Sequence, residues 1–396
     1  MSQVKHPLWG TVGSASVETA GYQRYLVMPS AADPRLVIPT RPRRSSATLL
    51  RALRDRTSLK ARAQTLAISG AALVNARTHA LPTPTLFEVV ARALGRTADD
   101  VVVGVHIGPP RANRKPVLAV ADRTGHLIAF AKYGVNALTD ELVSHEARAL
   151  QQLGLAARAG VLEHCTVPEL IASGRHDDHE YAIQSPIPTS APPSARKAEA
   201  AAVVAAQTEV AAMRPVSGDQ QSFLQAVLGR WAERVSGSDD DVVRRFADLA
   251  TQWADLAESS PLTWGSWHGD WRPTNMAVIG AGCSVWDWER FASGVPVGFD
   301  ALHLFLTTRL PSVRDVATVP HDVVENAPRL LRPFGVSERT AAELTVVGYF
   351  LELAGRYLDD DQAGAGGRLG RVGDWLLPAL TEFVRERTAT PGGTHR

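Results

Sequence analysis

The segment at 267–275 reads W-H-G-D-W-R-P-T-N, and after eleven further residues D-W-E follows at 287–289. These two segments contain side chains that suit metal-assisted chemistry: His268, Asp270, Asn275 and Asp287. One carboxylate can orient an acceptor hydroxyl, while an amide oxygen and a second carboxylate can hold Mg²⁺ against nucleotide phosphates. The spacing therefore indicates a site for phosphoryl transfer.

The elements around these side chains explain how they would meet. Asp270 and Asn275 are five residues apart, which suits a tight loop with both ends in one cleft. Residues 276–286 are largely apolar and are interrupted by Gly-Ala-Gly at 280–282, a pattern typical of a β-hairpin that returns Asp287 to the loop. Asp and Asn also favour ordinary turns, so it is the second carboxylate after the hairpin that favours a site.

With its segments HGDWRPTN and VWDWE, the sequence resembles the aminoglycoside phosphotransferase and choline kinase superfamily, which are small-molecule kinases with a protein-kinase-like fold. The resemblance implies that Asp270 is the catalytic base and that His268 organises the loop. It also implies that Asn275 and Asp287 are the metal ligands and that Asp300 braces the loop. The expected cofactors are ATP and Mg²⁺.

Two positions depart from the usual family motif H-G-D-L-x-x-x-N. Trp271 replaces the commoner Leu. Arg272 stands where protein kinases often carry a Lys that reaches the transferred phosphate. Arg272 is therefore a candidate phosphate contact, and its alternative role is that of a solvated charge or a partner for a nearby acid.

Three β-rich runs, at 101–107, 116–121 and 127–133, predict the antiparallel strands with which a kinase N-terminal lobe (N-lobe) begins. The connection at 108–115 is where a phosphate-covering loop is expected. It lacks G-x-G-x-x-G, so an ordinary basic hairpin loop is an equal alternative. In this loop Gly108 permits close backbone approach to a phosphate, and side-chain donors are supplied by Arg111, Asn113, Arg114 and Lys115.

Lys132 closes the third apolar run, and in kinases the lysine of that strand contacts the α- and β-phosphates and pairs with a helix glutamate. Glu146 lies on the inward face of a helix predicted for 139–153 and is the favoured partner, with Glu141 as the competing choice. Two further strands, 167–172 and 180–184, lead to a predicted hinge at Gln184 and Ser185 that would bind adenine through its backbone.

The predicted fold class is α+β: a bilobal protein-kinase-like fold with a five-stranded antiparallel N-lobe sheet, a mainly helical C-terminal lobe (C-lobe) and an N-terminal extension. The expected boundaries are 1–97 for an extension of short strands and helices, 98–186 for the N-lobe, 187–388 for the C-lobe and 389–396 for a disordered tail. The C-lobe pattern indicates three helical segments between 196 and 257, and later helices at 323–331, 337–358 and 372–387.

Composition narrows the function classes. The chain has 396 residues and a net charge of +1. Its overall charge therefore gives no electrostatic attraction to nucleic acid or to an anionic membrane. Two cysteines favour a reducing cytosol over a disulfide framework. Without a signal sequence or an apolar run near 20 residues, we expect a cytoplasmic protein with no membrane span. The sequence leaves its oligomeric state open.

The expected reaction is transfer of the ATP γ-phosphoryl group to a hydroxyl of a small acceptor, such as a sugar, an amino sugar, an amino alcohol or a natural-product intermediate. Alternatives are an aminoglycoside-resistance kinase and, from another class, a nucleotide-binding pseudokinase scaffold. The acidic run at 359–361 is either a solvated helix end or a surface for a cationic acceptor. His303 and His321 suggest no part in the site.

Overall fold

The computed structural model describes residues 5–6, 8–11, 22–29, 34–53, 78–108, 111–189, 196–213, 218–310, 315–364 and 368–388. The predicted tail at 389–396 lies outside these residues. The described residues belong to two compact units of the chain. Unit 1 comprises 1–155 and 167–188, and unit 2 comprises 156–166 and 189–396.

The strands within these residues are β1 (Lys5–His6), β2 (Gly10–Thr11), β3 (Tyr22–Pro29), β4 (Pro34–Pro39), β5 (Thr78–Pro82), β6 (Val101–Ile107), β7 (Pro116–Asp122), β8 (Leu127–Tyr133), β9 (Cys165–Thr166), β10 (Leu170–His176), β11 (His179–Gln184), β12 (Trp264–Trp267), β13 (Met276–Ile279), β14 (Gly282–Val285) and β15 (Ala292–Pro296). The α-helices in the same part of the chain are α1 (Arg43–Ala52), α2 (Thr85–Ala93), α3 (Ala137–Arg158), α4 (Arg196–Ala212), α5 (Gln220–Ser236), α6 (Asp241–Glu258), α7 (Phe299–Arg309), α8 (Val319–Leu331), α9 (Arg339–Asp359), α10 (Val372–Trp375) and α11 (Leu377–Thr388).

Unit 1 is built on an eight-stranded antiparallel sheet in the order β10-β11-β8-β7-β6-β4-β3-β5. The α+β character is confirmed, but the prediction of five strands is wrong. Strand β6 is buried on both faces, and β4 pairs with its second edge through Leu36 and Val37. An unpaired central strand would expose a row of backbone donors and acceptors. Segments of the expected N-terminal extension therefore continue the same sheet.

Helix α1 packs against one face of that sheet, and the sequence allows it to approach closely. Leu49 and Leu53 of α1 share a buried cluster with Val102 of β6. A Cβ at Gly104 would lie 2.7 Å from Ile38 Cδ1, so only glycine leaves room there. The alternate β6 residues face a second buried cluster that includes Phe87 of α2. Side chains of β6 therefore alternate between the two faces of the sheet, packing with α1 on one face and with α2 on the other.

Helix α3 begins with reciprocal caps and positions one acid inward. Asn136 Oδ1 accepts the backbone amide of Thr139 at 2.9 Å, and Thr139 Oγ1 accepts the amide of Asn136 at 3.0 Å. These bonds satisfy amides that have no partner within the helix. Val143, Glu146 and Leu150 lie on the buried face, as their three-to-four spacing predicts.

Unit 2 is mainly helical, and its core joins residues of α5 to α11 with those of β12 and β15. The three helices expected between 196 and 257 are confirmed as α4, α5 and α6. The single helix expected at 372–387 is instead divided into α10 and α11. Pro378 lacks the amide that would continue the first helix, which accounts for the break.

Two small sheets in unit 2 frame the candidate chemistry. Strands β12 and β15 pair antiparallel, and the hairpin β13–β14 is extended by β9, which runs parallel to β14. The predicted hairpin is confirmed, and Gly280, with φ +61°, lies in its turn. Across the described parts of both units, the helices are too short or too polar to traverse a lipid bilayer.

Candidate active site

The H-G-D-W-R-P-T-N segment forms a loop between β12 and β13 in unit 2. Asn275 immediately precedes β13, and its carbonyl accepts the backbone amide of Trp286 at 3.0 Å. This bond extends the hairpin ladder by one step, so the loop end and the residue before Asp287 are held together. The backbone pairing of the hairpin therefore brings Asn275 close to the residue that precedes Asp287.

His268 connects the loop to the hairpin through both ring nitrogens. Its Nδ1 accepts the backbone amide of Asp270 at 3.1 Å, so Nε2 carries the proton and donates to the Trp286 carbonyl at 3.0 Å. Burial lowers the pKa of His268 to about 4, despite the opposing charge of Asp270. The neutral ring is packed edge to face with the buried Trp271 and Trp288. His268 therefore has the organising contacts expected from the sequence.

Asp300, at the start of α7, braces the same loop, as expected. Its two carboxyl oxygens accept the backbone amides of His268 at 2.7 Å and Gly269 at 3.2 Å. Burial raises the pKa of Asp300 to about 7, while the two amide donors oppose that rise. The loop backbone is therefore fixed by a side chain more than thirty residues away.

Left-handed backbone occurs at two positions of the site. Gly269 has φ +86°, and a Cβ there would lie 2.2 Å from the Arg290 carbonyl oxygen. Glycine is required at 269 for both conformation and space. Asp287 has φ +73°, a conformation that non-glycine residues adopt rarely and that often marks a functional position.

The Asp270 carboxylate is surrounded by donors and positive charge. His303 Nε2 lies 3.1 Å from Oδ1, while Asn275 Nδ2 donates to Oδ2 at 2.9 Å. Arg272 Nη2 lies 2.8 Å from the same Oδ2. Burial alone would raise the pKa of this carboxyl group, but the other effects outweigh it. The bond with His303 and the charges of Arg272 and Arg356 lower the pKa of Asp270 to about 2.

Asn275 is oriented as a metal ligand would need to be. Its Nδ2 donates to both the backbone carbonyl and Oδ2 of Asp270, at 3.0 and 2.9 Å. The amide nitrogen is therefore committed to Asp270, and the amide oxygen is turned away from it. Thr274 Oγ1 is 3.3 Å from that oxygen. An amide oxygen is a ligand that Mg²⁺ accepts, because this ion prefers oxygen ligands.

His303 belongs to this site, although the sequence suggested no part for it. Its side chain is 1% exposed and its Nδ1 lies 3.0 Å from the Tyr349 hydroxyl, while Nε2 faces Asp270. Burial lowers the pKa of His303, so the neutral ring can donate to Asp270 and accept from Tyr349. The only sequence signal was a histidine one helical turn after Asp300, in a stretch at 301–306 that is otherwise apolar.

Arg356 is a second residue of the candidate site that sequence reasoning missed. Its guanidinium donates to the backbone carbonyl of Gly269. The same group lies 6.0 Å from the ring centre of Trp267 and 5.5 Å from that of Tyr357. Arg356 therefore supports the loop from α9 and adds positive charge near Asp270.

The acidic run that follows α9 is engaged by arginines. Asp359 is bound by Arg234 through two parallel bonds of 2.8 and 2.7 Å. Asp360 is 5% exposed and is bound by Arg290. These pairings give the first two acids of the run a structural explanation, without a cationic acceptor.

In unit 1, the predicted ion pair between Lys132 and Glu146 is confirmed. Lys132 Nζ lies 2.7 Å from Oε1 and 2.6 Å from Oε2 of Glu146. The two residues are 6% and 0% exposed, whereas the competing Glu141 is exposed. Strand β8 and helix α3 thus present the lysine and glutamate that the resemblance implies.

The remaining candidates of unit 1 have the following positions. Gly108 directly follows β6, Arg111 is exposed and Asn113 is partly buried in the β6–β7 connection. Gln184 ends β11 and is buried. The Ser185 hydroxyl accepts the backbone amide of Glu169 at 2.9 Å, and the Ser185 amide donates to the Glu169 carbonyl at 2.9 Å. Roles of these five residues in nucleotide binding stay predictions.

No protein-family model matches the chain. No curated protein matches it either. Solved structures do match. The complex of a thermostable mutant of aminoglycoside phosphotransferase APH(4)-Ia with ADP and hygromycin B is 13% identical, with a TM-score of 0.51 over 77% of this chain and 100% of that chain.

Another complex of that phosphotransferase, with AMP-PNP and hygromycin B, is 14% identical, with a TM-score of 0.48 over 76% of this chain and 99% of that chain. Aminoglycoside phosphotransferase APH(3'')-Id from Streptomyces rimosus is 16% identical, with a TM-score of 0.37 over 61% and 91% of the two chains. The first match shows that this chain has the kinase-like fold of an aminoglycoside phosphotransferase. The kinase-like fold class expected from the sequence resemblance is thereby confirmed, whereas the expected number of strands is not.

Proposed function

We propose that this protein is a magnesium-dependent small-molecule kinase that transfers the ATP γ-phosphoryl group to an acceptor hydroxyl. The observation that carries the proposal is the bonding between Asn275 and Asp270. One amide nitrogen binds both the backbone and the carboxylate of Asp270, which leaves an amide oxygen for a metal and holds the carboxylate ready for an acceptor. An ordinary surface turn has no need of this arrangement.

Asp270 would receive the acceptor hydroxyl as a hydrogen-bond donor. With its pKa lowered to about 2 by the factors described above, the carboxyl group is ionised at neutral pH and is a weak base. A weak base is sufficient because phosphoryl transfer has a loose transition state, in which the acceptor hydroxyl loses its proton late. Catalysis then depends mainly on the positioning of that hydroxyl. Arg272, beside Asp270, would contact the transferred phosphate.

Asn275 and Asp287 would hold Mg²⁺, with His268 keeping the loop and the hairpin in register. The bound metal would neutralise charge on the nucleotide phosphates. The left-handed backbone at Asp287 supports this role because such strain is retained where function requires a particular side-chain direction.

In unit 1, Lys132 would contact the α- and β-phosphates of ATP while Glu146 holds it in place. Gly108, Arg111 and Asn113 would cover the phosphates, and the backbone around Gln184 and Ser185 would bind adenine. We propose 98–186 as the nucleotide-binding part and 187–388 as the part that binds the metal and the acceptor.

For the acceptor we favour a carbohydrate or a natural-product intermediate over a polycationic drug. The charges facing Asp270 are those of Arg272 and Arg356, which would repel a cationic acceptor. Asp359 and Asp360 are each paired with an arginine. Hygromycin B is nevertheless a necessary test compound, because the fold neighbour was solved with it.

The test measures ADP formation from MgATP with sugars, amino sugars, amino alcohols and hygromycin B as acceptors. Asp270→Asn should slow transfer by about 10²–10⁴-fold with ATP binding retained. Asp287→Asn should abolish the magnesium dependence of ATP binding in calorimetry. Asp248→Asn, at an exposed position of α6, is the matched control. A wild-type protein that binds MgATP but transfers to no acceptor and to no water would support the pseudokinase alternative instead.

A further inference from the structure

The oxygens of Asp270 differ in how many donors they already face. Oδ2 faces Asn275 Nδ2 at 2.9 Å and Arg272 Nη2 at 2.8 Å. Oδ1 faces His303 Nε2 at 3.1 Å, its single close donor in the described part of the chain. A carboxylate oxygen has about two lone-pair sites. The oxygen with capacity left for an acceptor hydroxyl is therefore Oδ1, the one that His303 contacts.

The direction of the hydrogen bonds behind Oδ1 is determined by chemistry. An ionised carboxylate can only accept, so the His303 Nε2 must carry the proton. In a neutral ring the other nitrogen, Nδ1, then has to accept, and the Tyr349 hydroxyl 3.0 Å away is its donor. The pair is buried, with Tyr349 0% and His303 1% exposed, so water does not readily substitute for either donor.

The surroundings of His303 hold its ring in place. Trp267 packs edge to face with it, with 6.4 Å between ring centres, and Tyr349 does so at 6.1 Å. The ring also lies on α7, the helix whose first turn carries Asp300. The charged groups that face it are Asp270, Arg272 and Arg356.

We propose that His303, oriented by Tyr349, is a positioning residue that sets the rotation of the Asp270 carboxylate, so that the remaining lone pair of Oδ1 is directed at the acceptor hydroxyl. This inference rests on the proposed kinase function. His303 would act through Asp270 and would not touch the nucleotide. The Tyr349 hydroxyl would act one step further back, by selecting the histidine tautomer that can donate to Asp270.

The kinetic test uses MgATP with water as the acceptor, or with an active acceptor once the panel has identified one. His303→Leu removes the donor at similar size and should lower kcat on the order of 10²-fold, with KM for MgATP changed by no more than about twofold. His303→Gln restores an N–H toward Asp270 and should recover most of kcat. Tyr349→Phe should give an intermediate loss.

The matched control is His321→Gln, at an exposed position of α8, which should behave as wild type. Equal losses in the Leu and Gln variants, accompanied by equal falls in thermal stability, would overturn the inference in favour of simple packing. A Leu variant with kcat within twofold of wild type would also overturn it, while leaving the kinase function standing.

An independent measurement keeps the two proposals apart. Two-dimensional ¹⁵N–¹H spectra of the histidine rings, with His303→Gln used for assignment, should show His303 neutral and protonated on Nε2. Tyr349→Phe should shift the Nδ1 resonance of His303. A ring protonated on Nδ1, or on both nitrogens, at neutral pH would overturn the inference even if the wild type has no turnover. Absence of turnover with the expected tautomer would count against the kinase function alone.

Discussion

Asn275 binds Asp270 twice, because a single Nδ2 donates to the backbone carbonyl and to the carboxylate of Asp270. We therefore expect Asn275→Asp to place two carboxylates in contact and to impair the site more than Asn275→Ala does. Turnover should fall by on the order of 10²–10³-fold in the Asp variant. Steady-state ADP formation across a magnesium titration measures this.

Thr274→Ala provides the control for that experiment. Thr274 is exposed and contributes only a 3.3 Å contact to the Asn275 amide oxygen, so turnover should stay close to wild type. If Asn275→Asp were as active as Thr274→Ala, the double contact with Asp270 would have no catalytic consequence.

Between pH 7 and 4, His268 and Asp300 should act on stability in opposite directions. Burial lowers the pKa of His268 to about 4, so its contribution is present above pH 6.5 and is lost as the pH falls toward 4. Burial raises the pKa of Asp300 to about 7, so its contribution is present below pH 4 and is lost as the pH rises through 7. Each effect is on the order of 3–4 kcal/mol.

Because these two effects on stability offset each other, Asp300→Asn should leave only the pH dependence that arises from His268. The free energy of unfolding of this variant should fall more steeply from pH 7 to 4 than that of the wild type. Urea denaturation at pH 7, 6, 5 and 4 measures both slopes. Parallel slopes for the two proteins would contradict the raised pKa of Asp300.

Gly269→Ala should damage the loop severely. The added methyl group would meet the Arg290 carbonyl oxygen at 2.2 Å, and φ +86° is strained for alanine. We expect a loss of stability of at least about 1–3 kcal/mol and loss of turnover. Gly280→Ala is the comparison, because φ there is +61° but no atom lies within 4 Å of the added Cβ. Similar melting temperatures for both variants would contradict a packing effect at 269.

The buried pair of Lys132 and Glu146 should be separable into structural and functional parts. Glu146→Ala removes the carboxylate that faces the buried Lys132 ammonium. The free energy of unfolding should therefore fall by about 3–5 kcal/mol. The double variant Lys132→Met, Glu146→Leu should regain most of that stability but not the affinity for ATP. Thermal melts and ATP titrations test both halves. Recovery of ATP affinity in the double variant would remove Lys132 from the nucleotide site.

The sequence was most informative where chemistry and local backbone coincide. The loop from His268 to Asn275 and the hairpin before Asp287 are contiguous, so spacing alone predicted their association. Lys132 and Glu146 are close in sequence and lie on a strand and the next helix. Each of these contacts spans at most 18 residues.

Contacts across longer separations had no such local signal, and Asp300 was expected only because of the family resemblance. His303 is 33 residues from Asp270, and Tyr349 is 46 residues from His303. Arg356 is 87 residues from Gly269. Histidine, tyrosine and arginine are ordinary residues in helices, and only tertiary packing brings these three to the candidate site. Short strands were expected before residue 97, but their place in the main sheet was not, because the pairing of β4 with β6 joins segments that are far apart in the sequence.

Helix α9 carries both Tyr349 and Arg356, seven residues apart and hence on one face. Tyr349 reaches His303 and Arg356 reaches the Gly269 carbonyl. Any fluctuation that unwinds the second half of this helix would release both supports together. In hydrogen–deuterium exchange, the amides of the loop at 268–270 should therefore open cooperatively with those of α9, although the two segments are remote in the chain.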